Sequence, residues 1–319
     1  MLRRFMPLEG AAGFSILAEM PDAESLTRLL VPLQIERGLL ACPSTRKPLH
    51  VAGDGLEDEA GERRYPVLNG VPVLLTDAGR VAGYLGSQGG NMVAEYVKPS
   101  RSLLREIWDR TVNRIGDMRS PESEGAFQSI FTGLTDGALC VSVGGGPTRA
   151  HPALVNINIG SFPNVDIVAD AYELPYADGF VDAVHCEAVL EHLEYPEAAV
   201  REMYRALRTG GKVFAATPFL QGFHGYPDHF QNFSLTGHVR LFERAGFSIL
   251  SAGTCVGPGF AMRDLFGNYL RKSLPGAAGK AAMALWSIAS IPMLYLDRLL
   301  NRRPRSADLA STTFILAVK

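Results

Sequence analysis

The sequence predicts an α/β protein built on a doubly wound, mostly parallel sheet, and three observations lead to that class. From residue 138 onward, short apolar runs alternate with helical stretches; a glycine bend, VSVGGGPTR, closes the first of those runs; and the clearest helical stripe, over 196–208, lies between two of them. Strands that alternate with helices call for a parallel sheet covered on both faces.

The strand-like runs fall at 138–143, 154–159, 165–169, 181–186, 212–217, 247–251 and 312–318, which gives a seven-stranded sheet. In the 196–208 stretch, Val200, Met203, Tyr204 and Leu207 share one helical face. The Gly210-Gly211 pair reads as the turn from that helix into the fifth strand. About sixty residues, 252–311, separate the last two strands and are expected to form a helical insertion.

Ahead of the sheet, residues 1–37 read as an N-terminal extension and residues 38–78 as a compact β-rich module, its Gly, Pro and Asp punctuation separating short apolar runs. Residues 79–101, rich in Gly, Ser and Asn, read as a linker. The main domain then covers 102–319, opening with an amphipathic helix that carries Leu103, Leu104, Ile107, Trp108, Val112 and Ile115 on one stripe.

Composition bounds the function. Lys plus Arg (31) against Asp plus Glu (33) leaves a net charge of −2, so no global field gathers nucleic acid, and no nucleic-acid partner is expected. Cys42, Cys140, Cys186 and Cys255 stand far apart, without the close spacing of a metal site or disulfide framework, so reduced thiols and a cytoplasmic location are expected. Glu9 and Gly10 interrupt the early apolar stretch before it reaches signal-core length, which disfavours secretion. Residues 281–296 run 16 positions without a charge, shorter than the roughly 20 needed to span a bilayer.

The glycine bend at Gly144, Gly145 and Gly146 lets a ligand approach the backbone at a helix N-terminus, although Pro147, Thr148 and Arg149 replace the rest of a dinucleotide fingerprint. Asn158 sits at the tip of the second strand. Downstream, VADAYELPYADGFVDAVHCEAVLEHL and REMYRALRTGGKVFAATP follow in order, supplying Asp170, Ala171, Leu174, Pro175, Asp178, Asp182, Glu191, His192, Glu202, Gly210, Gly211 and Pro218.

Through these residues, 138–253 resembles the class I S-adenosylmethionine-dependent methyltransferases of the type 11 group. The resemblance implies a seven-stranded, Rossmann-like methyltransferase sheet with S-adenosylmethionine as cofactor. It also implies that Gly144, Gly145 and Gly146 admit the methionine portion and ribose, that Asn158 meets the ribose, and that Asp170 with Ala171 holds the adenine. Cys186 and Glu187 would edge the methionine pocket, and Asp182 would serve as a strand-end hydrogen-bonding group. Two positions depart from the family pattern: Ser142 stands where an acid precedes the glycines, and Asn158 brings no charge. They motivate an alternative in which the chain is a binding module that has lost turnover.

Methyl transfer from a sulfonium is an in-line displacement, and a base is needed only where the acceptor carries a proton. PFLQGFHGYPDHFQNFS, after the fifth strand, offers His224 and His229 as catalytic base candidates on the loop that would rim the acceptor site. His192 is expected to pack under the cofactor loop. By analogy with similar fused chains, the acceptor is expected to be a small molecule or glycan-related. Basic residues flank the 281–296 run, so 271–305 reads either as a peripheral contact with the inner face of a membrane or as a lid or dimer contact whose apolar face is buried. The oligomeric state is left open.

Residues 38–78 carry Cys42, Pro43, Pro48 and Leu49, then Tyr65, Pro66, Gly70, Pro72 and Leu74. They resemble the Trm112-like, zinc-ribbon-derived module. Thr45 replaces its second cysteine, and with only Cys42 and His50 as local ligands no metal is expected.

Overall fold

The computed structural model describes residues 26–77, 119–160, 162–225, 228–303 and 305–319. The anticipated linker and the helix expected over 102–115 lie outside the described residues.

Four short strands, β1 (Leu49–Ala52), β2 (Gly55–Asp58), β3 (Arg64–Leu68) and β4 (Val71–Pro72), form an antiparallel meander. It packs on the main sheet, which is built from β5 (Cys140–Val143), β6 (Leu154–Asn158), β7 (Ile167–Val168), β8 (Val181–Glu187), β9 (Leu207–Pro218), β10 (Ser248–Val256) and β11 (Thr312–Val318) in the order β10-β11-β9-β8-β5-β6-β7. Strands β7, β6, β5, β8 and β9 run parallel, and β11 is antiparallel to both β9 and β10. This is the expected doubly wound methyltransferase sheet, with a small β-rich unit before it and a helical insertion before its last strand.

Central parallel strands are buried on both faces and therefore read as continuous apolar runs; all four residues of β5 are buried. On one face the core gathers Val141, Val155, Val184, Met203, Leu241 and Phe242, with the Pro196–Ala206 and Leu235–Arg244 helices over it. Phe127, Ile130, Phe131, Phe214 and Phe314 pack the other face, where the Pro121–Ser129 helix lies. Ser120 caps that helix by accepting from Ser123 N at 3.0 Å, and Ser120 N donates to Cys255 O at 2.8 Å, which ties the helix start to β10.

Two of the boundaries that differ from the sequence reading have a clear cause in strand pairing. The Gly210-Gly211 pair lies within β9, because Gly210 N donates to Lys319 O and Lys319 N donates to Gly211 O, both at 3.0 Å. Strand β10 continues to Val256 through its pairing with β11, so the insertion begins after that residue.

The insertion consists of helices Pro258–Ser273, Gly276–Ala289 and Ile291–Leu300. Asp297 caps the first from a distance in sequence, accepting from Gly259 N at 2.7 Å and Phe260 N at 2.9 Å. No single described helix is long and apolar enough to cross a membrane; the second and third form a bent pair, at 45°, that passes on length and composition together.

The N-terminal meander is stitched to the main sheet. Leu74 N donates to Val168 O at 2.7 Å, Ala41 N to Pro175 O at 2.9 Å, and Tyr176 Oη to Gln34 Oε1 at 3.1 Å. Within it, the Cys42 thiol lies 3.2 Å from Tyr65 Oη and accepts from Thr45 N at 3.4 Å, a packing role for the one cysteine of the unit.

Candidate functional site

Parallel strands point their carboxyl ends to one edge, and ligands of such sheets bind outside that edge. Here the loops after β5, β6, β7, β8 and β9 meet there.

The bend after β5 is held by two amides: Gly144 N and Gly145 N both donate to Ile157 O, at 2.8 and 3.3 Å. Gly144 and Gly146 have φ of +72° and +61°, where a side chain is strained. A Cβ on Gly144 would stand 2.2 Å from Val189 Cγ2, whereas one on Gly146 would meet nothing within 4 Å. The bend is therefore packed on its Val189 side and open at Gly146. Val189 is brought there by Ala188, itself in the left-handed region at φ +53°.

Parallel pairing sets Asn158 opposite Val168, two residues before Asp170, so the two candidate nucleoside contacts stand at neighbouring strand tips. Asn158 Oδ1 accepts from Gly160 N at 3.1 Å, and Asp170 Oδ1 accepts from Tyr172 N at 3.0 Å, which orient both side chains. Ala171 is partly buried against the main core. Together, an open glycine, polar acceptors at two adjacent tips and an apolar flank fit a nucleoside with a linked amino-acid portion.

Cys186 is fully buried in the main core, where burial pushes its thiol pKa up, so its side chain acts as a packing group. Glu187 is engaged by the Arg119 guanidinium and by His185 Nε2 at 3.3 Å. Burial alone would raise the Glu187 pKa; the Arg119 charge, followed by the His185 hydrogen bond and charge, outweighs it and holds the carboxyl at about 2. Ser142 Oγ lies 2.9 Å from His185 Nδ1, so Ser142, His185, Glu187 and Arg119 form one polar chain beneath the bend. Asp182 accepts from Leu139 N at 2.8 Å and from Arg208 Nε at 2.6 Å, a structural placement.

The loop after β9 carries His224 and His229 within 4.4 Å, ring centre to ring centre. Both nitrogens of His229 are occupied: Nδ1 accepts from His224 N at 3.2 Å, and Nε2 pairs with Asn232 Oδ1 at 2.6 Å. His224 pairs Nδ1 with Gly222 O at 3.0 Å and turns Nε2 toward Glu191 Oε1, 3.8 Å away. That carboxylate raises the His224 pKa, against the lowering effect of burial. Of the two candidate bases, only His229 has both ring nitrogens within hydrogen-bond distance of a partner among the described residues. His192, anticipated as a packing group, instead directs Nε2 at the same carboxylate oxygen from 3.7 Å.

The insertion covers this loop. Phe219 N and Leu220 N donate to Ser311 O and Ala310 O at 2.8 and 3.2 Å, and Gln221 Nε2 donates to Ser311 Oγ and Thr312 Oγ1 at 3.1 and 2.9 Å. The charge of Asp264, on the first insertion helix, couples to His224. The outer helices leave Tyr269, Leu285, Ile288, Tyr295 and Leu299 exposed.

Sequence reasoning missed Arg119, His185 and the meeting of Glu191, His192 and His224. The last had a signal: β8 and β9 are neighbours in such a sheet, so the loops that follow them end side by side.

The strand order with its reversed β11 and the glycine bend at the carboxyl edge define a Rossmann-like methyltransferase fold. Residues 150–215 match the family model of the methyltransferase domain, and S-adenosylmethionine is the cofactor of such a domain. An uncharacterized chloroplastic methyltransferase of Arabidopsis thaliana is 45% identical over 64 residues, 19% of this chain and 18% of that protein. The ubiquinone/menaquinone biosynthesis C-methyltransferase UbiE of Chromobacterium violaceum is 43% identical over 47 residues, 15% of this chain and 19% of that one. A solved SAM-dependent methyltransferase from Thermotoga maritima is 15% identical, with a TM-score of 0.41, over 68% of this chain and 94% of its own. The chain spans less than a fifth of the length of the curated relatives it matches.

Proposed function

We propose that this chain transfers a methyl group from S-adenosylmethionine to a small-molecule or glycan-related acceptor. The observation that carries the reading is the opening at Gly146 after β5, with Asn158 and Asp170 on adjacent strand tips. The cofactor supplies an electrophilic methyl group. Gly144, Gly145 and Gly146 would let it approach the backbone, Asn158 would receive a ribose hydroxyl, and Asp170 would accept from the adenine amine. Glu187, fixed by Arg119, would edge the methionine portion and remain anionic. Holding the acceptor in line in a site covered by the insertion supplies most of the acceleration. His224 would take the proton from an acceptor that carries one.

The acceptor is proposed to be presented at the inner face of a membrane. The outer insertion helices carry exposed apolar side chains, with Arg271, Lys272, Lys280, Arg298, Arg302 and Arg303 nearby in sequence, a pairing suited to anionic headgroups. Four unpaired, buried cysteine thiols accord with a cytoplasmic location. The N-terminal meander is proposed to be a metal-free relative of the Trm112-like module.

A second reading, a fold-retaining binder without turnover, draws on Ser142, whose hydroxyl is engaged by His185. Incubation of the full chain with labelled S-adenosylmethionine and cell extract separates the two. Label in an extractable product supports transfer; cofactor binding with no labelled product from any fraction supports the binder.

A further inference from the structure

Three ligand-type atoms converge beside the proposed acceptor site, none within hydrogen-bond distance of another. Glu191 is fully buried, and its Oε1 has no hydrogen-bond partner among the described residues, while Oε2 accepts from Thr217 Oγ1 at 3.4 Å. His192 Nε2 and His224 Nε2 face Oε1 at 3.7 and 3.8 Å, and the three ligand atoms lie within 4.8 Å of one another. The ring protons are assigned by the far sides of the two histidines: His192 Nδ1 pairs with Asp228 O at 2.6 Å and His224 Nδ1 with Gly222 O at 3.0 Å. A carbonyl only accepts, so each Nδ1 carries a proton, and in the neutral ring each Nε2 presents a lone pair to the carboxylate. Left so, a buried carboxylate oxygen confronts two further acceptors, an arrangement that costs free energy until something positive lies between them.

We propose that Glu191, His192 and His224 bind one divalent first-row transition-metal ion, with open coordination positions toward the acceptor. Two imidazoles and one carboxylate are a donor set for Zn²⁺ or Fe²⁺, in contrast to the all-oxygen shells that hold Ca²⁺ or Mg²⁺. Metal-bound histidines donate their second ring N–H to a carbonyl or carboxylate, and both do so here. Bonds of about 2.0–2.1 Å place tetrahedral ligands about 3.3 Å apart, so the 3.7 and 3.8 Å separations close with about half an ångström of movement. A single proton would satisfy one histidine and leave the other facing the carboxylate; a cation satisfies all three.

His229 supports the site without joining it, since its Nδ1 receives the His224 amide and fixes that loop. Ligation replaces the proton-accepting role given to His224 above: a bound cation acidifies an oxygen ligand directly. Metal binding itself does not rest on the methyl-transfer reading.

The test is a Co²⁺ titration of the full chain, stripped with chelator and free of cofactor and acceptor, followed by visible absorption, with metal content measured after dialysis. One Co²⁺ per chain is expected, with the absorption bands of a nitrogen- and oxygen-ligated ion, displaced by Zn²⁺. His192→Ala and His224→Ala should each weaken binding about 100-fold or more, and His229→Ala about 10-fold. Both histidine ligands are partly exposed, and circular dichroism confirms that each variant is folded; the wild-type spectrum and stoichiometry test the proposal even if one is not. Less than one ion per chain at saturation in the wild type, or unchanged binding in both folded His192 and His224 variants, overturns it. Failure here leaves the methyl-transfer reading standing, and failure of cofactor binding leaves the metal site standing.

Discussion

Arg119 and Glu187 join the segment leading into the Pro121–Ser129 helix to the carboxyl end of β8, at the centre of the sheet. The Arg119 side chain is 9% exposed and that of Glu187 20%, so the pair is nearly removed from water. Breaking such a pair by removing one member typically costs about 3–5 kcal/mol, because the remaining charge stays buried.

Glu187 ties this pair to acid stability. Its carboxyl sits at about 2 in the folded chain and near 4.3 when unfolded. Between those values the unfolded chain binds the extra proton, so stability rises with pH across that window. The contribution, on the order of 3 kcal/mol, is fully present above the unfolded value and is lost as pH falls through about 2. Glu187→Gln should lower urea-unfolding stability at pH 7 by a similar amount and flatten the acid limb below pH 5.

His238 adds to acid sensitivity in the same direction by a different route. It is fully buried, with Nδ1 3.2 Å from Thr313 Oγ1, and burial lowers its pKa to about 3. The unfolded chain takes up this proton below about 6.5, while the folded chain does so only near 3. Stability therefore falls as pH drops from 6.5 toward 3, by about 5 kcal/mol over the window. His238→Leu should reduce the slope of unfolding free energy against pH by close to one proton between pH 6 and 4; an unchanged slope would refute the assignment.

The glycine bend separates folding from binding. Gly144→Ala would bring its Cβ to 2.2 Å from Val189 Cγ2 at a φ of +72°, so a loss of about 2–4 kcal/mol in stability is expected. Gly146→Ala meets nothing within 4 Å and should cost only about 1–2 kcal/mol of backbone strain. Its methyl group would nevertheless stand in the opening, so S-adenosylmethionine should bind at least about tenfold more weakly. Unfolding curves and calorimetry on the two variants check the contrast.

Asn158→Asp should strengthen the cofactor contact. An aspartate keeps the oxygen that accepts from Gly160 N and adds a charged acceptor for the ribose. A hydrogen bond to a charged group exceeds a neutral one by about 1 kcal/mol, so affinity is expected to rise about 5–10-fold. Equal or weaker binding would place the ribose elsewhere.

The exposed apolar side chains of the Gly276–Ala289 and Ile291–Leu300 helices predict sedimentation with anionic liposomes at low salt, weakened by added salt. A chain that stays in the supernatant does not bind membranes through this surface.

The sheet was legible because its central strands are buried along most of their length, so β5, β6 and β8 each show a short apolar-rich run between turn signals. Its margins were less so. Gly210 and Gly211 carry turn chemistry, yet pairing with Lys319, over a hundred residues away, draws them into β9. The placement of Asn158 and Asp170 at neighbouring strand tips was legible from their position after apolar runs. Arg119 belongs to no local pattern and gains its role only through packing on β10 and β8. Glu191 and His192 are neighbours in sequence, but His224 lies far along the chain and joins them only because β8 and β9 lie side by side.

The account depends on a sulfonium nucleoside fitting the space at Gly146 between Asn158 and Asp170. Titrating the full chain calorimetrically with S-adenosylmethionine and S-adenosylhomocysteine tests this most directly. Saturable binding of one ligand per chain, with a rise in Tm, is predicted for both. Absence of heat together with an unchanged Tm for both ligands would contradict it.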